Sequence, residues 1–206
     1  MIYDITPPIT PSLKVWPEDT VPSRQIMCDM RDGSSTTTST LRTTVHAGAH
    51  ADAPNHFEVG ALSIGERPIE YYLGPCQVIG ISAERGACLE PEAIGVPIEA
   101  PRVLLKTGTY PDPTCFNEDF AALSSVLIDW LAEQGVRLIG VDTPSLDPFA
   151  SKDLPAHHAT LRYDMAILEG LVLDAVPDGC YELIALPLKL IGFDGSPVRA
   201  VLRTVP

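Results

Sequence analysis

His46-Ala47-Gly48-Ala49-His50-Ala51-Asp52-Ala53-Pro54-Asn55-His56-Phe57 is the stretch on which the reading of this chain turns. His46, His50, Asp52 and His56 fall on even positions, and in an extended chain side chains alternate faces with period 2, so one side can receive all four. A helix advances about 100° per residue, which aligns His46 with His50 but carries Asp52 far round the cylinder. Gly48, Pro54 and the threonine-rich run before His46 also oppose a helix. His46, His50 and Asp52 are therefore expected on a strand end or a loop. The small residues between them let the backbone approach an ion closely.

The chain holds only five histidines; three lie in this stretch and the other two are the pair His157-His158. A lone histidine is usually a hydrogen-bonded core or surface residue. Clustering of all five around an aspartate points instead to a metal or acid–base site. Imidazoles with a carboxylate suit zinc or a neighbouring first-row divalent ion. Calcium or magnesium would want more oxygens. No cysteine lies near the cluster, which disfavours a thiolate site.

The segment from His157 to Glu169 extends the case. One unbroken helix would separate these residues by about 18 Å at 1.5 Å per residue, so they share an ion only if the chain turns between them. Tyr163-Asp164 reads as the break, with Met165 to Leu168 as a strand that delivers Glu169. Spacing does not choose between His157 and His158. His56, beside Phe57, reads as a proton carrier for a metal-activated water, with a further ligand as the other reading. Trp16, between Val15 and Pro17, reads as a platform for an aromatic substrate or as a core residue. Cys28 and Cys115 read as buried thiols.

Working outward, the 206 residues fit one domain, 1–206, with room for a protruding hairpin. The 20 prolines are about twice the usual share of roughly 5%, which favours short strands and fixed turns. A net charge of −13 argues against nucleic acid and anionic membranes as partners. Five cysteines without CxxC spacing, and no apolar leader or membrane-length run, read as a soluble cytoplasmic protein with reduced thiols. Residues 24–30 and 34–45 read as a hairpin turning at Asp32-Gly33. Residues 76–82, 102–106, 137–141, 171–173, 181–186 and 198–203 read as further strands, and Pro91 to Ile94 as a short helical turn. The clearest helix is Ser124 to Gln134, capped by serine and ended by Gly135. The class is α/β, strand-rich, with few helices.

The stretch His46 to Phe57 resembles the HxGTHxDxPxHF signature of the metal-dependent cyclase-like hydrolases, with Ala49 where threonine is usual. Tyr3 to Ile9, Val15 to Thr20, Asp153 to His158, Ile167 to Glu169, Leu186 to Lys189 and Gly195 to Ala200 are similar to its kynurenine formamidase (arylformamidase) branch, where glycine is more usual than Glu18. This resemblance implies a swivelling β/β/α fold, a homodimer and two divalent ions per subunit, most often zinc. It implies that His46, His50 and Asp52 hold one ion and that Asp52, His157 and Glu169 hold the other. His56 corresponds to the proton donor and acceptor, and Trp16 to a substrate contact. The implied reaction is hydrolysis of N-formyl-L-kynurenine by a water that two metals activate. A sister hydrolase for another amide, lactam or lactone, and a metal-binding protein without turnover, are the alternatives.

Overall fold

In the computed structural model of the protein, which describes residues 1–205, short strands outnumber helices, as the proline content requires. The strands are β1 (Ile2–Asp4), β2 (Ser23–Cys28), β3 (Thr38–Arg42), β4 (His50–Asp52), β5 (Leu73–Gly80), β6 (Cys88–Leu89) and β7 (Arg102–Lys106). They continue with β8 (Ala122–Leu123), β9 (Leu138–Val141), β10 (Ala166–Glu169), β11 (Gly179–Ile184), β12 (Gly195–Pro197) and β13 (Val201–Thr204). The α-helices are α1 (Ser125–Glu133) and α2 (Pro155–Arg162).

Nine strands form one sheet in the order β1-β13-β11-β5-β7-β9-β10-β4-β12. Its centre, β5-β7-β9-β10, is parallel, and β4 and β12 are added antiparallel at one end. Buried parallel strands need apolar side chains on both faces, and here the alternation divides them cleanly. Val103, Leu105, Ile139, Val141 and Ile167 meet Leu127, Ile128 and Leu131 of α1 and Ala156 and Ala159 of α2. Leu104, Leu138, Ala166 and Leu168 face the other way, into a core that the curled sheet closes with Ala51, Leu183 and Leu202.

Helix α1 starts where serine chemistry puts it: Ser124 Oγ accepts from the Leu127 amide at 3.0 Å. The hairpin β2–β3 forms, but its turn is not the tight one expected at Asp32-Gly33. Asp29 caps a 3-10 turn over Met30–Asp32, Gly33 closes it at φ 87°, and pairing resumes only at Cys28 with Thr38. Residues 171–173 are not a strand; Leu171 and Leu173 are buried in the core as loop residues. Of the last expected strand, 198–203, only residues 201–203 are strand, within β13; residues 198–200 link β12 to β13, and there Ala200 exchanges hydrogen bonds with Ile5 and Thr6.

One close approach fixes the site end of the sheet. Gly170, just past β10, has φ +65°, and a Cβ there would lie 2.2 Å from the Gly48 carbonyl oxygen. The turn that follows Glu169 thus packs backbone to backbone on the turn that precedes His50. Gly170→Ala adds both left-handed strain and a collision with main chain, and should cost about 3 kcal/mol. A urea midpoint that moves by less than the equivalent of about 1 kcal/mol would contradict this contact.

Candidate metal centre

Sheet register assembles the donors. Ala51 of β4 and the flanking Ala49 and Ala53 join the curled core, so His50 and Asp52 project to the helix face. Strand β10 pairs with β4 so that Ile167 opposes Asp52 and Glu169 opposes His50. Ile167 belongs to the helix-side core, and Glu169 shares its parity, so Glu169 emerges on the same face beside His50. Helix α2 lies over that face and lowers His157 onto the pair.

The distances distinguish two kinds of contact. His50 Nε2 lies 3.4 Å from Asp52 Oδ1 and 3.4 Å from Glu169 Oε2, while His157 Nε2 lies 3.5 Å from Asp52 Oδ2 and 3.3 Å from Glu169 Oε1. These are long for hydrogen bonds. They match the edge of about 3.4 Å between ligands of a tetrahedron whose metal–ligand bonds are about 2.0–2.1 Å. The rings are also oriented for the task. His50 Nδ1 donates to the Gly48 carbonyl at 2.8 Å, and His157 Nδ1 donates to Asp147 Oδ2 at 2.6 Å, so each Nε2 is the atom that faces the carboxylates. The donor set therefore fits a divalent cation. It forms two metal-competent groups that share Asp52: His50 with Asp52 and Glu169, and His46 with Asp52 and His56.

His46 is placed by a turn rather than by strand alternation, because Gly48 at φ +62° interrupts the extended chain. Its two ring nitrogens donate to Asp52 Oδ1 and to Asp194 Oδ2, each at 2.9 Å. His56 follows in a 3-10 turn, its ring centre 4.2 Å from that of His46. Among the described residues His158 pairs with none of these carboxylates, while His157 meets both Asp52 and Glu169. Neighbouring residues of a helix point about 100° apart, so only one of the two can face inward, and here it is His157.

Charge follows the packing. Burial opposes ionisation of His46, but the bonds to Asp52 and Asp194 outweigh it and raise its pKa to about 9. Burial also opposes the His157 cation, and Asp147, Asp52 and Glu169 together hold it well above the ordinary value. Burial would raise Asp52, yet His157 and His46 hold it well below the usual carboxylate range. His56, whose shift is dominated by burial, is lowered.

Beside these groups opens a cavity of about 400 Å³. His46, His50, His56, His157 and Glu169 line one end, and Trp16, Tyr110 and Phe116 line the wall. Trp16 is braced by Phe149 at 4.9 Å and Phe116 at 5.7 Å between ring centres. It is thus a wall residue with an aromatic backing.

Two carboxylates escaped the sequence reading. Asp147 is fully buried and accepts from the Ala156 amide at 3.0 Å, the His157 amide at 3.1 Å and the His157 ring. It caps α2 from outside the helix and fixes its ligand ring at once. Its signal was available: polar residues just past the carboxyl end of a buried parallel strand, here β9, are where sites form. Asp194 had no such signal, lying on a loop before an edge strand.

Two outcomes follow from this geometry. Asp147→Asn should weaken divalent metal binding by about 10- to 100-fold, read by competition with a chromophoric chelator; unchanged affinity would remove Asp147 from the centre. In chelator-treated protein, a histidine raised from 6.5 to about 9 stabilises the fold fully below pH 6.5 and loses that contribution as pH rises through 9. The metal-free protein should therefore lose stability over this window, by roughly 3 kcal/mol from His46. A flat urea midpoint from pH 6.5 to 9 would contradict the ion pairing.

Comparison with known proteins agrees with this architecture. The Cyclase family model matches residues 3–148. A solved structure described as a potential metal-dependent hydrolase with cyclase activity is similar at 27% identity and a TM-score of 0.85, covering 100% of this chain and 99% of its own. A solved structure described as a predicted metal-dependent hydrolase from Bacillus stearothermophilus is similar at 28% identity and a TM-score of 0.83, over 98% of this chain and 97% of its own. Isatin hydrolase A from Labrenzia aggregata shares the fold at 23% identity and a TM-score of 0.79, over 98% of this chain and 93% of its own. The chain belongs to the Cyclase family.

Proposed function

We propose that the protein is a metal-dependent hydrolase of aryl formamides, with N-formyl-L-kynurenine as its substrate and L-kynurenine and formate as its products. The observation that carries this reading is the buried imidazole–carboxylate set opening into a cavity walled by Trp16, Tyr110 and Phe116. Such a wall accepts an aryl ring, while the donors meet the group attached to it. Among the described lining residues Lys14 is the one Lys or Arg, and Asp19 and Asp174 are exposed carboxylates, a set suited to an amino-acid end.

His46, His50, Asp52, His157 and Glu169 are the residues that would hold two divalent ions, zinc being the metal that best suits these donors. When bound, such ions supply a water acidic enough to attack near neutral pH and electrophilic help at the formyl oxygen. The remaining work belongs to the chain. His56 is half exposed at the cavity and lowered by burial, hence neutral near pH 7. It takes the proton that the attacking water loses and passes it to the aniline nitrogen, which cannot depart as an anion. The aromatic wall stacks the ring and keeps bulk water from the reacting carbon.

The chain acts as a homodimer in this reading. The hairpin β2–β3 stands as its own two-stranded sheet and exposes Ile26, Met27, Met30 and Leu41. An isolated hairpin is marginal in water, and a second copy would cover it. A second reading, a sister enzyme for a cyclic amide, draws on the fold shared with an isatin hydrolase.

Formate release from N-formylkynurenine should be rapid, vanish with chelator and return with zinc. Isatin and simple formanilides run beside it separate the two readings, since preferential turnover of isatin would overturn the formamidase reading. Metal retained without hydrolysis of any of these would identify a binding protein instead. His56→Ala should keep its metal and lose about 10²- to 10⁴-fold in kcat; full turnover would remove His56 from the chemistry.

A further inference from the structure

Asp194 reaches the two histidines of the centre that strand register does not place. Its Oδ2 accepts from His46 Nε2 at 2.9 Å and lies 3.5 Å from His56 Nδ1. Among the described residues its carboxylate has no other side-chain partner. The backbone that carries it is fixed: the Ala53 amide donates to the Asp194 carbonyl at 2.9 Å, and Gly195 pairs with Asp52 across β12 and β4. The fit extends to the next residue, because a Cβ on Gly195 would lie 2.8 Å from His46 Cε1 and 3.0 Å from the Ala51 carbonyl oxygen. Residues 194–195 thus form a cradle against one edge of the His46 ring, and the His56 ring leans on it at 35°.

This arrangement parallels the one at the far side of the centre. There, Asp147 holds the outer nitrogen of His157 while Nε2 faces the shared carboxylates. At His46, Asp194 holds Nε2 while Nδ1 faces Asp52. A carboxylate behind a ligand imidazole fixes the tautomer, limits ring rotation and raises basicity. Asp194 differs in being near a second imidazole that no other carboxylate approaches as an ion-pair partner.

We propose that Asp194 is a positioning residue with two charges: it orients His46 toward the divalent ion and sets the rotation of the His56 ring that moves the proton. The hold on His46 requires only that the centre binds metal. The hold on His56 rests on the hydrolase reading above.

The test uses the full chain with Asp194→Ala and Asp194→Asn. The amide keeps one acceptor oxygen for His46 Nε2 and serves if the alanine variant folds poorly. Competition of Zn²⁺ with a chromophoric chelator should show affinity lowered about 10- to 100-fold in Asp194→Ala, and less in Asp194→Asn. At saturating zinc, kcat on N-formylkynurenine should remain at least tenfold low while KM is unchanged, since the ring moves the proton but does not bind the substrate. Wild-type zinc affinity in both variants overturns the proposal. Lowered affinity with full kcat at saturating zinc overturns the link to His56. If the wild type binds zinc but releases no formate, the hydrolase reading fails, and the affinity comparison still decides the hold on His46.

Discussion

The antiparallel pairing of β4 with β10 is the constraint on which the centre depends. It sets Glu169 opposite His50 and Ile167 opposite Asp52, so three donors from segments more than a hundred residues apart share one face. A one-residue slip of β10 against β4 would put Glu169 on the face opposite His50 and Asp52. The slip is blocked from both directions. Ala49, Ala51 and Ala53 fill the curled core on the reverse face, and Gly170 lies against the Gly48 carbonyl at the strand ends.

Placing Asp52 and Glu169 where both are almost fully buried would be unfavourable for carboxylates alone. In the metal-free protein, the protonated His46 and His157 compensate, which is why those rings are raised and Asp52 is lowered. A divalent ion supplies the same countercharge more compactly and displaces those protons. The fold therefore holds an acidic pocket that cations stabilise, whether protons on the imidazoles or a metal. The Gly48 carbonyl and Asp147 hold the Nδ1 atoms of His50 and His157, which leaves each Nε2 turned toward the carboxylates.

Much of this was legible in the chain because it rests on local rules. Period-2 spacing placed His50 and Asp52 together, the length of a helix forced a turn before Glu169, and serine and glycine bounded α1. Glu18 is an instructive case: glycine is usual there in the formamidase branch, and the structure puts Glu18 at φ 77°, the left-handed region that glycine enters without strain. Spacing left the choice between His157 and His158 open, because it depends on how α2 rotates on the sheet, and the family resemblance alone pointed to His157. The turn of the β2–β3 hairpin was misread for a related reason: Asp29, not Asp32, supplies the cap, and either aspartate satisfies the local pattern. Asp147 could be sought only from its place past the end of β9, and Asp194, 148 residues from the histidine it holds, lies beyond any spacing rule.

The central claim is that β4, β10 and α2 bring imidazole and carboxylate donors around divalent metal. Anomalous diffraction from a crystal grown with zinc tests it most directly. The account requires a zinc peak within about 2.0–2.2 Å of His50 Nε2, His157 Nε2 or the carboxylate oxygens of Asp52 and Glu169. Zinc found only at surface sites, with the rings of His50 and His157 turned away from the two carboxylates, would contradict it.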